Sequence, residues 1–381
     1  MKITVAGHIC LDMIPDWRQG NIKAIKPGHM LEMEGIKFST GGAVANTGLA
    51  LQKLGIQADL IGKIGKDYTG KIIIEVLQEK SPNGENIVDN MIVSKNEESS
   101  YSIILEPPDT DRIFLHSPGT NHTFNSDDLS IKDIKNTDLF HFGYPPVMKK
   151  MYRNKGQELA QIFQIARQAS AITSLDMTMP DPKSEAGQVN WKAVLRNVLP
   201  YVDIFLPSLQ EIMYMLNYDD YYYSDKDLSI KLLEDIGSQL LKMGTKVVVL
   251  KLGEQGLYLQ TDTIPHNSLS QFSTLIDLSE WNSQKLLSPC FKTRVQGTTG
   301  AGDSAIAGFL SQIIKGKSAA EALNMAAAVG ACCVEEVDAT GGIIPLNQVE
   351  QRIQNGWSKS LTSWNLNNSI YDNHLGLWKF E

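Results

Sequence analysis

The sequence predicts an α/β fold with a mostly parallel central sheet and a small β-sheet lid. From residue 139 onward, short apolar runs alternate with helical patterns, and strands separated by helices form parallel sheets with right-handed crossovers. The apolar runs cover residues 139–141, 172–176, 204–206 and 246–250, and the helical patterns cover residues 156–169, 190–199 and 228–243. Strand-like runs at residues 11–14, 31–38, 91–93, 101–105 and 112–115, with polar turns between them, break this rhythm. They fall in two segments, residues 11–38 and 88–120, and we expect these segments to form the lid.

Length and composition are those of a globular protein. The chain has 381 residues, and α/β folds of this size class can keep one large core. Hydrophobic residues make up 42% and charged residues 20% of the sequence, which is typical of a folded domain. The net charge of -8 disfavours nucleic acid as a partner, because no basic run supplies phosphate contacts.

The four cysteines have no C-x-x-C spacing, and no histidine pair has a metal-ligand interval such as H-E-x-x-H. Neither a disulfide framework nor a zinc site is therefore expected. The first ten residues resemble a buried strand and lack the apolar region and cleavage site of a signal peptide. No apolar run reaches the ~18 residues of a membrane span. These observations predict a cytoplasmic protein without a membrane partner.

The stretch T-T-G-A-G-D at residues 298–303 carries most of the functional information. Its two glycines permit a tight turn, and apolar residues at helical spacing follow, so its N–H groups lie at a helix N-terminus. Unpaired donors and the helix dipole make such a terminus an anion site. Asp303 beside this site could take a proton from an attacking hydroxyl. On these residues alone, a helix-capping role for Asp303 is the more common explanation.

Two stretches resemble the signatures of a known family. T-T-G-A-G-D followed by S-A-I-A-G-F resembles the C-terminal signature of the ribokinase-like (PfkB) carbohydrate kinases. G-G-A-V-A-N-T-G-L-A-L-Q-K-L-G at residues 41–55 resembles the N-terminal signature of the same family, and the two occur in the expected order. The resemblance covers about residues 1–345 and implies a ribokinase-like, three-layer α/β/α fold with a β-sheet lid.

The resemblance implies catalytic roles for the C-terminal signature. In the family, the backbone of the G-A-G segment forms an anion hole for the transferred phosphoryl group, which assigns this role to Gly300, Ala301 and Gly302. The Asp that follows is the catalytic base, which corresponds to Asp303. Thr299, in the same signature, is assigned to nucleotide binding.

The acceptor side of the site is assigned to the first part of the chain. Asp12 follows the first predicted strand, and loops at such positions open on the ligand crevice of α/β proteins. The family binds sugar hydroxyls with an Asp here and lines the sugar pocket with residues matching Gly41, Gly42 and Asn46. Without the resemblance, Asp12 could be a turn residue and Asn46 a residue near a helix cap. A lid over this pocket would exclude water.

The nucleotide side is assigned to the second half of the chain. P-S-L-Q-E at residues 207–211 resembles the family motif N-x-x-E, with Ser208 in place of the Asn. The Glu of that motif organises magnesium and its waters around the phosphates, which assigns an indirect, water-mediated metal role to Glu211. V-V-V-L-K-L-G at residues 247–253 resembles the hairpin whose Lys and Gly, here Lys251 and Gly253, approach the phosphates. A surface Glu and a surface Lys are the alternatives.

Two positions depart from the family pattern in ways that affect ligands. Gly143 and Tyr144 follow the predicted strand at residues 139–141, where some members carry an acidic sugar ligand. Gly297 stands where the C-terminal signature usually begins with Asp. In potassium-activated members that Asp belongs to a cation loop, and its loss removes a hard oxygen ligand. We therefore expect weak or absent activation by a monovalent cation.

These motifs predict a Mg-ATP-dependent kinase that phosphorylates a hydroxyl group of a sugar, sugar derivative or polyol. The alternatives are a nucleoside or vitamin-precursor kinase of the same fold and a non-catalytic protein that binds a sugar or nucleotide. Ser208 and Gly297 favour the non-catalytic alternative, whereas the intact G-A-G-D motif argues against it more strongly.

We expect residues 1–345 to form the kinase domain, with the two lid segments inserted in it. Residues 346–381 form an extension without an assigned role, and the tyrosine-rich stretch at residues 218–227 receives no functional assignment. The expected partners are ATP and a small-molecule acceptor, with a homodimer as one option and no nucleic acid.

Overall fold

The computed structural model describes residues 1–18, 22, 25–82, 84–108, 112–218, 229–264, 272–360, 366 and 369–380. All but the first residue of the tyrosine-rich stretch at residues 218–227 lies outside these ranges. In the described ranges, no helix is long and apolar enough to cross a membrane.

The strands follow the apolar runs of the sequence. In chain order they are β1 (Lys2–Gly7), β2 (Cys10–Pro15), β3 (Ile36–Gly41), β4 (Gln57–Ile61), β5 (Lys63–Gly65), β6 (Ile92–Ser94), β7 (Tyr101–Leu105), β8 (Ile113–Ser117), β9 (Leu139–Gly143), β10 (Ile172–Leu175), β11 (Ile204–Phe205), β12 (Val247–Lys251), β13 (Leu257–Thr261), β14 (Lys285–Ser288), β15 (Ser369–Asp372) and β16 (Leu377–Phe380).

The helices lie between the strands, and most begin at a residue suited to that position. They are α1 (Ala43–Lys53), α2 (Tyr68–Lys80), α3 (Lys149–Tyr152), α4 (Gln157–Gln168), α5 (Trp191–Val198), α6 (Leu209–Met215), α7 (Ile230–Leu241), α8 (Phe272–Leu275), α9 (Ala301–Ile313), α10 (Ala319–Cys333) and α11 (Leu346–Gln354). Capping boxes begin α6 and α10, at Ser208 and Ser318.

The central sheet has the strand order β15-β16-β14-β13-β12-β11-β10-β9-β1-β4. From β4 to β12 the neighbouring strands are parallel, and from β12 to β15 they are antiparallel. The predicted α/β class with a mostly parallel sheet is therefore confirmed. The parallel strands end at one edge of the sheet, which brings together the loops that follow β1, β9, β10 and β12.

Two hydrophobic clusters fill the space on the two faces of this sheet. One contains the buried side chains of α1, α9 and α10, and the other contains those of α4, α5 and α7. Strand β9 contributes to both, because successive strand residues point to opposite faces: Leu139 packs in the first cluster and Phe140 and Phe142 in the second. The fold thus has three layers, with helices packed on both faces of the central sheet.

A separate four-stranded sheet with the order β3-β2-β7-β8 forms the lid. Its strands fall in the two segments predicted for it, but two details of the prediction were wrong. Residues 31–35 are not part of a strand, because β3 begins at Ile36. Residues 91–93 were expected in the lid, whereas β6 pairs with β5 in a two-stranded sheet of its own. Strands this short carry no side-chain pattern that specifies their partner.

The described part of residues 346–380 joins the central sheet rather than standing apart from it. Strand β16 pairs with β14, and β15 continues the sheet beyond it. Residues 358–360 run beside the loop after β14, where Ser360 N–H donates to the Cys290 carbonyl oxygen at 2.8 Å. Trp357 packs on Phe291, with ring centroids 4.6 Å apart. This segment therefore supports the loop that follows β14.

Candidate active site

Helix α9 begins at the glycine-rich turn, and its N-terminus is open. Gly300 is the N-cap in the left-handed conformation (φ 76°), and the helix has no side-chain cap. A Cβ at Gly300 would lie 2.4 Å from the Ala339 carbonyl oxygen, so only glycine fits there. Ala301 N–H donates to the Thr298 carbonyl oxygen at 3.3 Å. The N–H groups of Gly302 and Asp303, next in the first turn, donate to no group among the described residues and can therefore bind an anion.

Asp303 is buried in the first turn of α9 and does not cap the helix, since the N-cap is Gly300. Its carboxylate instead accepts hydrogen bonds from three side chains. Asn46 Nδ2 and the Tyr144 hydroxyl donate to Oδ2 at 2.9 and 2.8 Å, and Thr47 Oγ1 donates to Oδ1 at 3.4 Å. Burial raises the pKa of Asp303, and these donors together with Lys251 oppose that rise.

A largely buried lysine and two further carboxylates face Asp303. Lys251, at the end of β12, forms an ion pair with Asp176, with Nζ and Oδ1 2.5 Å apart. Burial alone would lower the pKa of Lys251, but Asp176, Glu211 and Asp303 hold it above its ordinary value. Lys251 is therefore a permanent cation beside the open end of α9. Burial raises the pKa values of Asp176 and Glu211.

Asp176 was missed in the sequence-based assignment. It directly follows β10, at the edge where the parallel strands end, and β11 separates it from β12 in the sheet. Its position directly after a buried strand was the feature of the sequence that could have identified it as a site residue.

Ser208 and Glu211 form a reciprocal cap at the start of α6. Ser208 Oγ accepts a hydrogen bond from Glu211 N–H at 3.3 Å, and Glu211 Oε2 accepts one from Ser208 N–H at 2.7 Å. The cap fixes the Glu211 carboxylate at the mouth of the cavity described below. Glu211 thus caps α6 through its Oε2 atom, and its Oε1 atom takes no part in the cap.

A cavity of about 720 Å³ lies in front of these groups, a size typical of a ligand site. Its walls come from the loops after β9, β10, β11, β12 and β14, from α9 and α10, and from Ser360. Of the residues assigned from the sequence, those lining it are Ser208, Glu211, Lys251, Gly253, Gly300, Ala301, Gly302 and Asp303. Thr299 does not line the cavity; its hydroxyl accepts a hydrogen bond from Arg112 Nη1 of the lid at 2.9 Å.

The residues predicted to bind the acceptor do not line this cavity; Asp12 and Gly41 lie in strands of the four-stranded sheet, and Gly42 and Asn46 lie at the start of α1. Asp12 is on β2 opposite Ser39 of β3, and burial raises its pKa to about 6. A Cβ at Gly41 would lie 2.4 Å from Asp12 Oδ2, and a Cβ at Gly42 (φ 92°) would lie 2.4 Å from the His8 carbonyl oxygen. The glycine pair therefore lets this turn approach β1 and β2 closely. Asn46, on α1, donates to Asp303 and so links the start of α1 to α9.

His8 and Tyr144 were not assigned roles from the sequence. His8 is buried, and among the described residues neither of its ring nitrogens has a hydrogen-bond partner. Burial lowers its pKa to about 3, so the ring is neutral. It stacks on Tyr144 with centroids 6.2 Å apart and lies 5.8 Å from the ring of His116 in the lid. No sequence pattern indicated this cluster.

The carboxylates fit an ion that is held largely by a bound nucleotide. The described residues contain no group of three or more His, Cys, Asp and Glu side chains able to hold a metal by themselves. Magnesium in nucleotide sites uses one or two carboxylates together with phosphates and water. Asp176 Oδ2 is buried without a partner among the described residues, beside Lys251, and Glu211 and Lys251 line the cavity. These two carboxylates are suitable for that role.

The chain resembles known proteins along most of its length. The profile of the pfkB family carbohydrate kinases matches residues 2–345. An uncharacterized sugar kinase of Archaeoglobus fulgidus is 26% identical over 77% of this chain and 98% of its own length. Probable fructokinase-4 of Arabidopsis thaliana is 21% identical over 91% of this chain and 94% of its own length. The structure of Arabidopsis thaliana ribokinase complexed with ribose and ATP aligns with a TM-score of 0.69, covering 92% of this chain and 97% of that chain at 19% identity.

Proposed function

Because the chain belongs to the pfkB family of carbohydrate kinases, which transfer a phosphoryl group to a hydroxyl, we propose that it transfers the γ-phosphoryl group of ATP to a hydroxyl of a sugar, sugar derivative or polyol. The observation that carries the proposal is the location of Asp303. Its carboxylate accepts a hydrogen bond from Asn46 of α1 and faces Lys251, and both Asp303 and Lys251 line the cavity.

Asp303 acts as the base in this proposal. Its carboxylate takes the proton of the acceptor hydroxyl as the oxygen attacks the γ-phosphorus and the bond to the ADP oxygen breaks. The hydrogen bonds that it accepts favour the ionised form, which is the form able to take a proton.

The turn and Lys251 stabilise the charge of the transferred group. The open N-terminus of α9, at Gly300 to Gly302, presents N–H groups to the phosphoryl oxygens, and Lys251 supplies a positive charge from β12. A Cβ at Gly302 would lie 3.6 Å from Cδ of Lys251, so glycine leaves room between the helix and the lysine. Phosphoryl transfer depends mainly on positioning and charge stabilisation, so these groups suffice.

Glu211 and Asp176 would hold a magnesium ion, directly or through water, and such an ion neutralises charge on the β- and γ-phosphates when it is bound. Gly253 and Ser208 border the same cavity. Asp12 and Asn46 orient the acceptor, whose hydroxyls donate to the Asp12 carboxylate beneath the lid.

A panel of acceptors tests the proposal. The full-length protein is incubated with Mg-ATP and, separately, with sugars, sugar acids, polyols and nucleosides, and ADP release is followed by a coupled assay. We expect acceptor-dependent ADP release with at least one sugar or polyol, and mass spectrometry of the product should find a phosphate monoester. Absence of turnover with every acceptor, while ATP binds, would support the non-catalytic alternative.

One observation favours a second candidate, a nucleoside kinase. The rings of His8, Tyr144 and His116 lie together near Gly42, and flat rings suit a nucleobase. The nucleoside members of the panel decide between the two: preferential turnover of a nucleoside over every sugar and polyol would replace the sugar assignment.

A further inference from the structure

We propose that Tyr144 is a positioning residue for phosphoryl transfer: its hydroxyl fixes one carboxylate oxygen of Asp303 so that the other oxygen, Oδ1, receives the proton of the acceptor. This inference rests on the proposed function of Asp303. It assigns a role to a residue at which the chain departs from the family pattern.

The backbone at Tyr144 adopts a conformation that large side chains rarely take. Tyr144 lies between β9 and a short turn that begins with Pro145 and Pro146, and its φ and ψ angles are 65° and 41°. A left-handed conformation is unfavourable for a bulky residue, and a following proline restricts the backbone further. Such strain persists only where the surroundings fix it, and it concentrates at functional sites. Here it directs the phenol from the end of β9 to α9.

The hydrogen bonds divide the two oxygens of Asp303 into different roles. Oδ2 accepts short bonds from both Tyr144 and Asn46, at 2.8 and 2.9 Å. Within the described part of the chain, Oδ1 accepts only from Thr47, at 3.4 Å, a weak contact at the long limit for such a bond. A carboxylate oxygen that already accepts two bonds is a poor proton acceptor, so Oδ1 is the oxygen left for the acceptor hydroxyl.

The phenol keeps its own proton throughout the reaction. The acceptor O–H proton moves to Oδ1, the acceptor oxygen bonds to the γ-phosphorus, and the bond from that phosphorus to the ADP oxygen breaks. Burial and the neighbouring Asp303 hold the pKa of Tyr144 well above its ordinary value, so the phenol donates a hydrogen bond and does not exchange a proton. Its stacking on His8 fixes the ring from the other side.

Other titratable groups also face Asp303, and the test must separate them from Tyr144. They are Lys251 on β12, Asp176 after β10, Glu211 on α6 and Cys333 on α10. Tyr144→Phe leaves all of them in place and removes one oxygen atom. Tyr258→Phe is the matched control, since the Tyr258 hydroxyl donates to Gln260 Oε1 at 3.1 Å in the core, away from the cavity.

The experiment measures the titration of Asp303 in the full-length protein labelled with ¹³C at the aspartate carboxyl carbon. The resonance missing in Asp303→Asn identifies the residue. Losing a hydrogen bond to the charged form should raise the titration midpoint by about one to two pH units in Tyr144→Phe, and Tyr258→Phe should leave it unchanged. With the acceptor found by the panel, kcat of Tyr144→Phe should fall about tenfold while the KM for ATP stays the same.

An unchanged midpoint in Tyr144→Phe overturns the role of Tyr144, as does a wild-type kcat. The two proposals fail separately. Wild-type turnover in Asp303→Asn would refute Asp303 as the base. An inactive Asp303→Asn together with a wild-type Tyr144→Phe would leave the proposed function intact and remove only the inference about Tyr144.

Discussion

Replacing Asp12 by Asn is expected to weaken acceptor binding and to raise the free energy of unfolding of the free protein. Asp12 is partly buried on lid strand β2, where Cys10 Sγ donates a long contact of 3.4 Å and Ser102 donates a second hydrogen bond to its carboxylate. These donors and the charge of Lys80 do not offset the burial, so the ionised carboxylate is unfavourable in the folded protein, and a bound polyol would supply further donors.

The magnitude follows from the pKa of Asp12, which burial raises from 3.8 to about 6. Each pH unit of such a change corresponds to about 1.4 kcal/mol, so the ionised side chain destabilises the fold by about 3 kcal/mol at pH 7. This penalty is present above the folded pKa of about 6, fades as the pH falls, and is absent below the unfolded pKa of 3.8. Asp12→Asn removes the charge and most of the penalty.

Thermal unfolding at pH 7.5 and at pH 4.5 measures the effect. Asp12→Asn should raise Tm by a few degrees at pH 7.5, and the gain should shrink at pH 4.5. Asp16→Asn is the control, because Asp16 lies near the end of the same lid strand, is exposed and pairs with Arg18; it should bring no gain.

With the acceptor, removal of bonds to a charged group costs about 1.5–3 kcal/mol, so Asp12→Ala should raise the acceptor KM by about ten- to a hundredfold and leave the KM for ATP unchanged. Asp12→Asn should do less harm, since one acceptor oxygen survives. A lower Tm for Asp12→Asn at pH 7.5, or an unchanged acceptor KM for Asp12→Ala, would refute the reasoning.

Three further predictions concern backbone and ion sites. Gly302→Ala should fold normally, because the added Cβ would meet Lys251 at ordinary contact distance. The variant should nevertheless lower kcat/KM for ATP about a hundredfold, because the methyl group would fill the space of the phosphoryl group. Unaltered kinetics would argue against the anion site. Because Gly297 supplies no carboxylate, exchanging sodium for potassium at fixed ionic strength should change the rate little, and strong activation would contradict this. Lys155 is exposed and has a left-handed backbone with φ 56°. Lys155→Gly should therefore raise the free energy of unfolding, measured in urea, by about 0.5–1 kcal/mol. A loss of stability would show that the backbone at residue 155 is not strained.

The alternation of strands and helices was predictable because each buried strand of the parallel sheet is a continuous apolar run. The run at residues 246–250 became β12, and the pattern at residues 190–199 became α5. The start of α9 was equally predictable, because a glycine-rich turn before an apolar helix has few other conformations. The local signal was strong in each case.

Contacts between distant residues were not predictable. Tyr144 reaches Asp303 only because its backbone is left-handed, and no sequence pattern indicates that conformation for a tyrosine before proline. The pairing of Asp176 with Lys251 depends on which strands are neighbours in the sheet, which the order of residues along the chain leaves open. For the same reason, the strand at residues 92–94 was assigned to the wrong sheet.

The turnover of Asp303→Asn tests the central claim most directly. The variant keeps the size of the side chain and its contacts with Asn46, but it cannot take the acceptor proton. We expect its Kd for ATP, measured by calorimetry, to stay near the wild-type value, while kcat with the identified acceptor falls by about 10²–10⁴-fold. Near-wild-type turnover in this variant would contradict the assignment of Asp303 as the catalytic base.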